Sequence, residues 1–134
     1  MTRSQPRLSR LAAVGALLMV LGCGETTPFE PQLTNTTDDL LFQVSGVSPG
    51  VNGAQQVSWQ NTGPLANINQ SSQLTGGNGT FTVRDANGTV VYTGDLSLNG
   101  SFVSSPAGTP GTWTILIQAS NLSGTASVRI QRGG

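Results

Sequence analysis

The sequence predicts an all-β protein, a single antiparallel β-sandwich of six to eight short strands set behind a cleaved signal peptide and a flexible tether. Three observations carry that expectation. Beyond residue 39 apolar residues recur at every second position, the period of a strand with one buried and one wet face. Turn chemistry separates these runs: Asn-Gly occurs at Asn52-Gly53, Asn78-Gly79, Asn87-Gly88 and Asn99-Gly100, and both residues tolerate the positive φ of tight hairpins. Past the signal, no stretch keeps a helical period over ten residues. Several short strands around one core make a sandwich.

The elements follow in order. Arg3, Arg7 and Arg10 flank the start of an eleven-residue apolar run, Leu11 to Leu21, and Gly22-Cys23 ends it. Charge, apolar run and small residue in that order make residues 1–22 a secretory signal. Spanning a bilayer takes roughly 20 apolar residues, about twice this run. Cys23 is the only cysteine, so no internal disulfide can form.

The ending Val20-Leu21-Gly22-Cys23 resembles the lipobox of bacterial lipoproteins. That resemblance implies a mature N-terminus at Cys23, carrying a diacylglyceryl thioether and an acylated amino group. Membrane lipid then becomes a partner, with the protein held outside the cytoplasm on the cell membrane or outer membrane. Each buried methylene contributes ~0.8 kcal/mol and one chain alone binds only marginally, so several chains matter. Gly24, in place of aspartate after the cysteine, implies outer-membrane sorting in a Gram-negative host.

Residues 23–39 are expected to be the lipidated cysteine and its tether, polar and carrying Pro28 and Pro31. The sixteen residues from Gly24 to Asp39 would span roughly 20–24 Å as a flexible chain. The sandwich is expected over 40–134. Its strands are read at Leu40-Phe42-Val44, Val57-Trp59, Phe81-Val83, Thr89 to Thr93, Trp113-Ile115-Ile117 and Ala126-Val128-Ile130. Asp85-Ala86-Asn87-Gly88 links Phe81–Arg84 to Thr89–Thr93 as a hairpin, and Ala119 to Gly124 is expected to join the last two strands as another. Leu122, the one large apolar residue in that connection, is expected to plug an end of the core. Pro49, Pro64, Pro106 and Pro110 fall in gaps, where a missing donor costs nothing.

Phe81-Thr-Val-Arg-Asp-Ala-Asn-Gly-Thr-Val-Val-Tyr92, Gly111-Thr-Trp-Thr-Ile-Leu-Ile117 and Ser123-Gly-Thr-Ala-Ser-Val-Arg-Ile130 resemble bacterial extracytoplasmic immunoglobulin-like or jelly-roll sandwiches. The same stretches are similar to the pre-peptidase and proprotein-convertase P-type accessory modules. The resemblance implies a non-catalytic domain that assists folding, secretion or attachment.

The formal charge of zero conceals a basic signal and an acidic remainder. From Cys23 onward, Arg84, Arg129 and Arg132 stand against Glu25, Glu30, Asp38, Asp39, Asp85 and Asp95, three positives less six negatives, or minus three. Nucleic-acid binding needs clustered Lys and Arg, and there is no cluster. No histidine or lysine is present, so the usual serine, cysteine and zinc constellations cannot be assembled and no catalytic residue is assigned. Asp38 and Asp39 are adjacent and point apart, while Asp85 and Asp95 lie at opposite ends of one hairpin. Neither couple makes the acid pair a glycosidase needs.

Asp85, Asn87 and Asp95 are hard oxygen ligands, but a calcium loop needs more at set spacing, and Thr89, Val91 and Thr93 supply none. The turn needs no ion, so no metal or other cofactor is expected. Trp59 and Trp113 share faces with Val57 and with Ile115 and Ile117, which marks them as core anchors, whereas Tyr92 can face either way. The six Asn-X-Ser/Thr sequences, at Asn35, Asn69, Asn78, Asn87, Asn99 and Asn121, come from turns and polar composition rather than glycosylation. The expectation is a lipid-anchored, non-catalytic binding or structural module of the cell envelope, with an envelope protein or polysaccharide as partner. A carbohydrate-binding module of the cell surface is the alternative, and a solvent-facing Tyr92 beside another aromatic would favour it.

Overall fold

The computed structural model describes residues 29–134. Its strands are β1 (Gln32–Thr36), β2 (Asp39–Asn61), β3 (Leu65–Arg84), β4 (Val90–Asp95), β5 (Ser101–Ser104) and β6 (Gly111–Gly133). All pairings are antiparallel in one sheet of order β1-β2-β6-β3-β4, with β5 added to β3.

Three strands are far from short: β2 and β6 have 23 residues each and β3 has 20. A straight strand of that length would reach roughly 75 Å at about 3.3 Å per residue, far more than a domain of this size can accommodate. The strands therefore fold over. Phe42 pairs with Val128 and Phe81 with Ile117, positions roughly 36 Å apart on a straight β6. Yet the Phe42 and Phe81 rings meet edge to face at 5.7 Å. The bends fall where the register slips, at Gly46 to Gly53 on β2 and at Leu74 to Asn78 on β3. One sheet thus becomes the two layers of the predicted sandwich. The first holds β1, residues 39–46 of β2, 124–133 of β6, 65–74 of β3, and β5. The second holds residues 53–61 of β2, 111–119 of β6, 78–84 of β3, and β4.

Inward-facing positions shift phase at each bend, as an inserted bulge residue requires. The buried set on β2 is Leu40, Phe42 and Val44, then Val57 and Trp59. On β6 it is Trp113, Ile115 and Ile117, then Ala126, Val128 and Ile130. Leu122 is fully buried at the bend, where the sequence places a plug. Ala119 to Gly124, however, is no hairpin connection: the two runs it joins are halves of continuous β6, each paired with β2 and β3. The β3–β4 hairpin forms as expected, Arg84 pairing with Val90.

Residues 32–36, read from sequence as tether, form β1 against residues 39–43 of β2. Before them, Phe29 packs on the core and lies over Gly53, where an added Cβ would come within 2.6 Å of the Phe29 Cβ. Cys23 and the signal peptide lie outside the described residues. One side of the sandwich is tied at Asp38, whose N–H donates to the Gln60 carbonyl at 2.8 Å and whose carbonyl accepts from Arg132 N–H at 3.0 Å. The other is tied where the β4–β5 loop crosses between layers. There the Ser72 hydroxyl donates to the Ser97 carbonyl at 2.8 Å, and Gln70 Nε2 to the Asp95 carbonyl at 2.7 Å.

Candidate functional site

Paired residues on neighbouring antiparallel strands share a face, so the register maps the outer surface of the first layer. One row runs Thr34, Leu41, Arg129, Asn69, Phe102 across five strands. Beside it run Asp39, Gln131, Asn67 and Ser104 on one side, and Gln43, Ser127 and Ser71 on the other. Leu40, Phe42, Ile68, Val128 and Ile130 point the other way and are buried, which fixes this set outward.

Phe102 is the outlier on this face. Of the seven aromatic side chains, Trp59, Trp113, Phe42 and Phe81 are fully buried and Phe29 and Tyr92 are half-buried, while Phe102 is 65% exposed. The cause is local. Val103 pairs with buried Ile68 and takes the inner face of β5, so Phe102 must take the outer one opposite Asn69. Sequence reasoning missed it, although a signal was present: Gly100 and Ser104 flank Phe102 at two-residue spacing, so no apolar partner continues its face.

The charges here cancel. Arg129 donates through Nη2 to Asp39 Oδ2 at 2.7 Å and through Nε to Asp39 Oδ1 at 3.1 Å. That two-point bond holds the Asp39 carboxyl below the usual carboxylate range and the guanidinium above its own. Two side-chain pairs bond locally: Gln43 Nε2 donates to Ser127 Oγ at 2.9 Å, and Ser104 Oγ to Asn67 Oδ1 at 2.7 Å. Among the described residues, Asn69, Ser71, Gln73 and Gln131 have no side-chain hydrogen bond. They form a strip of uncommitted donors and acceptors running past Phe102.

The other sequence candidates do other work. Trp59 and Trp113 pack edge to face at 6.0 Å, and their indole N–H groups donate to the Thr36 and Thr109 carbonyls at 3.2 and 2.8 Å. Tyr92 tilts over buried Phe81 at 5.7 Å on the edge of the core, so it is no free platform. Asp85 is buried at the hairpin tip. Its Oδ1 accepts from Asn87 and Thr89 N–H at 3.0 and 2.9 Å, and its Oδ2 from Thr109 N–H at 2.9 Å. Those bonds, that of Thr109 first, lower its pKa and commit both oxygens to backbone. Asn87 turns to Thr109 Oγ1 at 3.0 Å, and Asp95 accepts from Ser97 N–H at 2.9 Å. The two acids remain at opposite ends of the hairpin. Asp38 and Asp39 also part: Asp38 caps Thr62, accepting its N–H at 2.7 Å, while Asp39 joins Arg129. No group of three His, Cys, Asp or Glu side chains suited to a metal occurs among the described residues.

Two surface recesses flank the bend. One of about 260 Å³ lies between Phe29 to Gln32 and β2, with Glu30 its sole titratable group. The other, of about 480 Å³, crosses Ala54, Thr80 and Gln118 and has none. Neither offers an acid or base pair.

No protein-family model matches the chain, and no curated protein sequence matches it. Among solved structures it is similar to the C-terminal CBM6 of the laminarinase LamC from Zobellia galactanivorans, at 15% identity and TM-score 0.33, covering 76% of this chain and 88% of that one. It is also similar to the carbohydrate-binding module CBM6cm-2 of Cellvibrio mixtus lichenase 5A in complex with cellotriose, at 20% identity and TM-score 0.31, covering 78% and 88%. The Gx strain structure of infectious bursal disease virus is similar at 13% identity and TM-score 0.26, covering 98% of this chain and 42% of that one. With no TM-score above 0.33, none of these likenesses bears on ligand or mechanism.

Proposed function

We propose that this chain is a non-catalytic binding module of the cell envelope, held on a membrane by lipid at Cys23 and meeting its partner through the outer face of the first layer. The observation that supports this most is the strip of uncommitted polar side chains beside Phe102, where the other aromatics pack in or on the core and Asp38, Asp85 and Asp95 accept from backbone N–H groups. Catalysis is disfavoured by chemistry: no histidine or lysine base exists, and Asp38, Asp39, Asp85 and Asp95 are each engaged apart from the others.

Two measurements test the proposal. Intact mass of membrane-extracted protein should show loss of residues 1–22 and a gain of acyl mass, and an unmodified thiol on soluble protein would end the anchoring claim. Placing a charge on the face with Asn69→Arg should abolish partner capture from envelope extract while leaving the urea midpoint unchanged. Capture that survives this variant moves the contact elsewhere, and turnover on a glycoside, ester or peptide panel defeats the non-enzyme claim.

A further inference from the structure

The outer face of the first layer constrains its own occupant in three ways, beginning with charge. Asp39 and Arg129 neutralise each other at 2.7 Å, and no other ionisable group lies in the rows around Phe102. A polyanion or polycation finds no complementary field there.

Area and polarity come next. Five strands about 4.8 Å apart and some 20 Å of strand length give a face of roughly 400 Å², about half of what one partner contributes to a standard protein–protein interface. Such an interface is also built on an apolar centre. Here Phe102 is exposed and Leu41 half-buried, and their neighbours are amides, hydroxyls and the Asp39–Arg129 pair. A folded protein partner and a second copy of this chain are both poorly served.

Last is hydrogen-bond type. The amides of Asn69, Gln73 and Gln131 each present a carbonyl acceptor and an NH₂ donor, and the Ser71 hydroxyl is both at once. A surface offering donors and acceptors in equal measure, next to one exposed ring, complements a ligand whose own groups donate and accept and whose ring carries an apolar C–H face. That is the chemistry of a pyranose.

We propose that the ligand is an uncharged polysaccharide chain lying along the outer side of β3, with Phe102 stacking under one sugar ring while Asn69, Ser71, Gln73 and Gln131 bond its hydroxyls. This rests on the binding role proposed above and names the ligand class for the same face. Phe102 is the anchor because leaving its ring in water forgoes burial that a sugar ring would restore. Stacking on a single ring with four polar side chains makes a weak, fast-exchanging contact, and lipid anchoring would place many copies on one surface.

The test is native affinity electrophoresis of detergent-extracted mature protein. Separate gels contain laminarin, hydroxyethyl cellulose, galactomannan or dextran as neutral probes, and alginate or polygalacturonate as charged ones. Retardation is expected in at least one neutral gel and should persist in 0.5 M salt, conditions under which exposed charges are screened. Phe102→Ala should weaken it about tenfold, the equivalent of losing one stacked ring, Asn69→Ala should weaken it further, and Phe102→Trp should restore or strengthen it. Urea midpoints of these exposed-site variants confirm that the fold is intact. The glycan assignment is overturned by retardation only in charged gels, by none in any gel, or by an undiminished shift in Phe102→Ala. If the envelope partner lost in Asn69→Arg is then a protein, or if the wild type elutes as a dimer through this face, the binding role stands and the glycan assignment falls. If Asn69→Arg loses no partner and no gel retards the protein, both fall.

Discussion

Trp113 and Trp59 pair near the end of the second layer away from the bend with no exposed surface, and each indole N–H reaches a backbone carbonyl. Trp113→Ala should cost ~3–5 kcal/mol, a large share of a small domain's stability, and the urea midpoint measures it. Asp85 is of a different kind, since its carboxylate closes the hairpin tip by accepting three backbone N–H bonds. Asp38, Asp39 and Asp85 all have pKa values lowered from 3.8 in the fold, by Thr62 N–H, by Arg129 and by Thr109 N–H respectively. A lowered folded pKa stabilises above the unfolded value, and that stability is lost as pH falls through the folded values. With no histidine, the urea midpoint should stay level from about pH 8 to about pH 5 and drop below about pH 3.8. In Asp85→Asn the midpoint should be lower at neutral pH and the acid drop shallower. Because the Asp85 oxygens are already committed, millimolar calcium should leave the melting temperature unchanged; a rise that Asp85→Ala removes would overturn the assignment of this segment as a turn that needs no ion.

Bulges decide the architecture of the three long strands. At the β6 bend Gly124 has φ +97°, and a Cβ there would meet the Gln73 carbonyl oxygen and lie 2.7 Å from Leu74 Cα. At the hairpin tip Gly88 has φ +83° and open space around it. Gly88→Ala should therefore cost only the left-handed backbone term of ~1–2 kcal/mol. Gly124→Ala should cost more, because β3 backbone has to move; equal urea midpoints for the two would mean that the bend is pliable. The same bends set how much the sequence could tell. Period two located five of the six half-strands of β2, β3 and β6 with their buried faces, leaving residues 65–74 of β3 unread, and the Asp85 to Gly88 hairpin was legible from its turn residues. The joining of half-strands was not. A phase shift of the apolar pattern with glycine nearby, as between Ile117 and Ala126, is the mark of a hairpin and of a bulged bend alike, and only pairing with β2 and β3 distinguishes them. β1 was hidden because Gln32-Leu33-Thr34-Asn35-Thr36 is an edge strand exposed along its whole length, with no buried face to impose a pattern. The binding face was hidden for a related reason. Its polar residues look like any wet strand side until register aligns them around Phe102.

At the level of the whole molecule, β6 is the hub, pairing with β2 on one side and β3 on the other through both layers. Its partners lie far away in sequence, Asp39 pairing with Gln131, so folding should be slow for a domain of this size. Removing residues 125–134 takes the central strand out of the first layer. The shortened chain should show no cooperative urea transition, and a retained one would mean that the second layer folds alone. The docking of Phe29 over Gly53 has a consequence for how the domain stands. If Cys23 carries the lipid proposed above, six peptide links reach at most about 20–22 Å before the chain meets the bend at Phe29. A leash that short would hold the bend nearer the bilayer than the turns at Thr37-Asp38, Thr62 to Pro64 and Pro106 to Pro110, like a buoy moored by one pole. The β3 strip, running from bend to tip, would then lead away from the membrane, a stance that favours threads reaching in from outside over molecules lying flat among the headgroups.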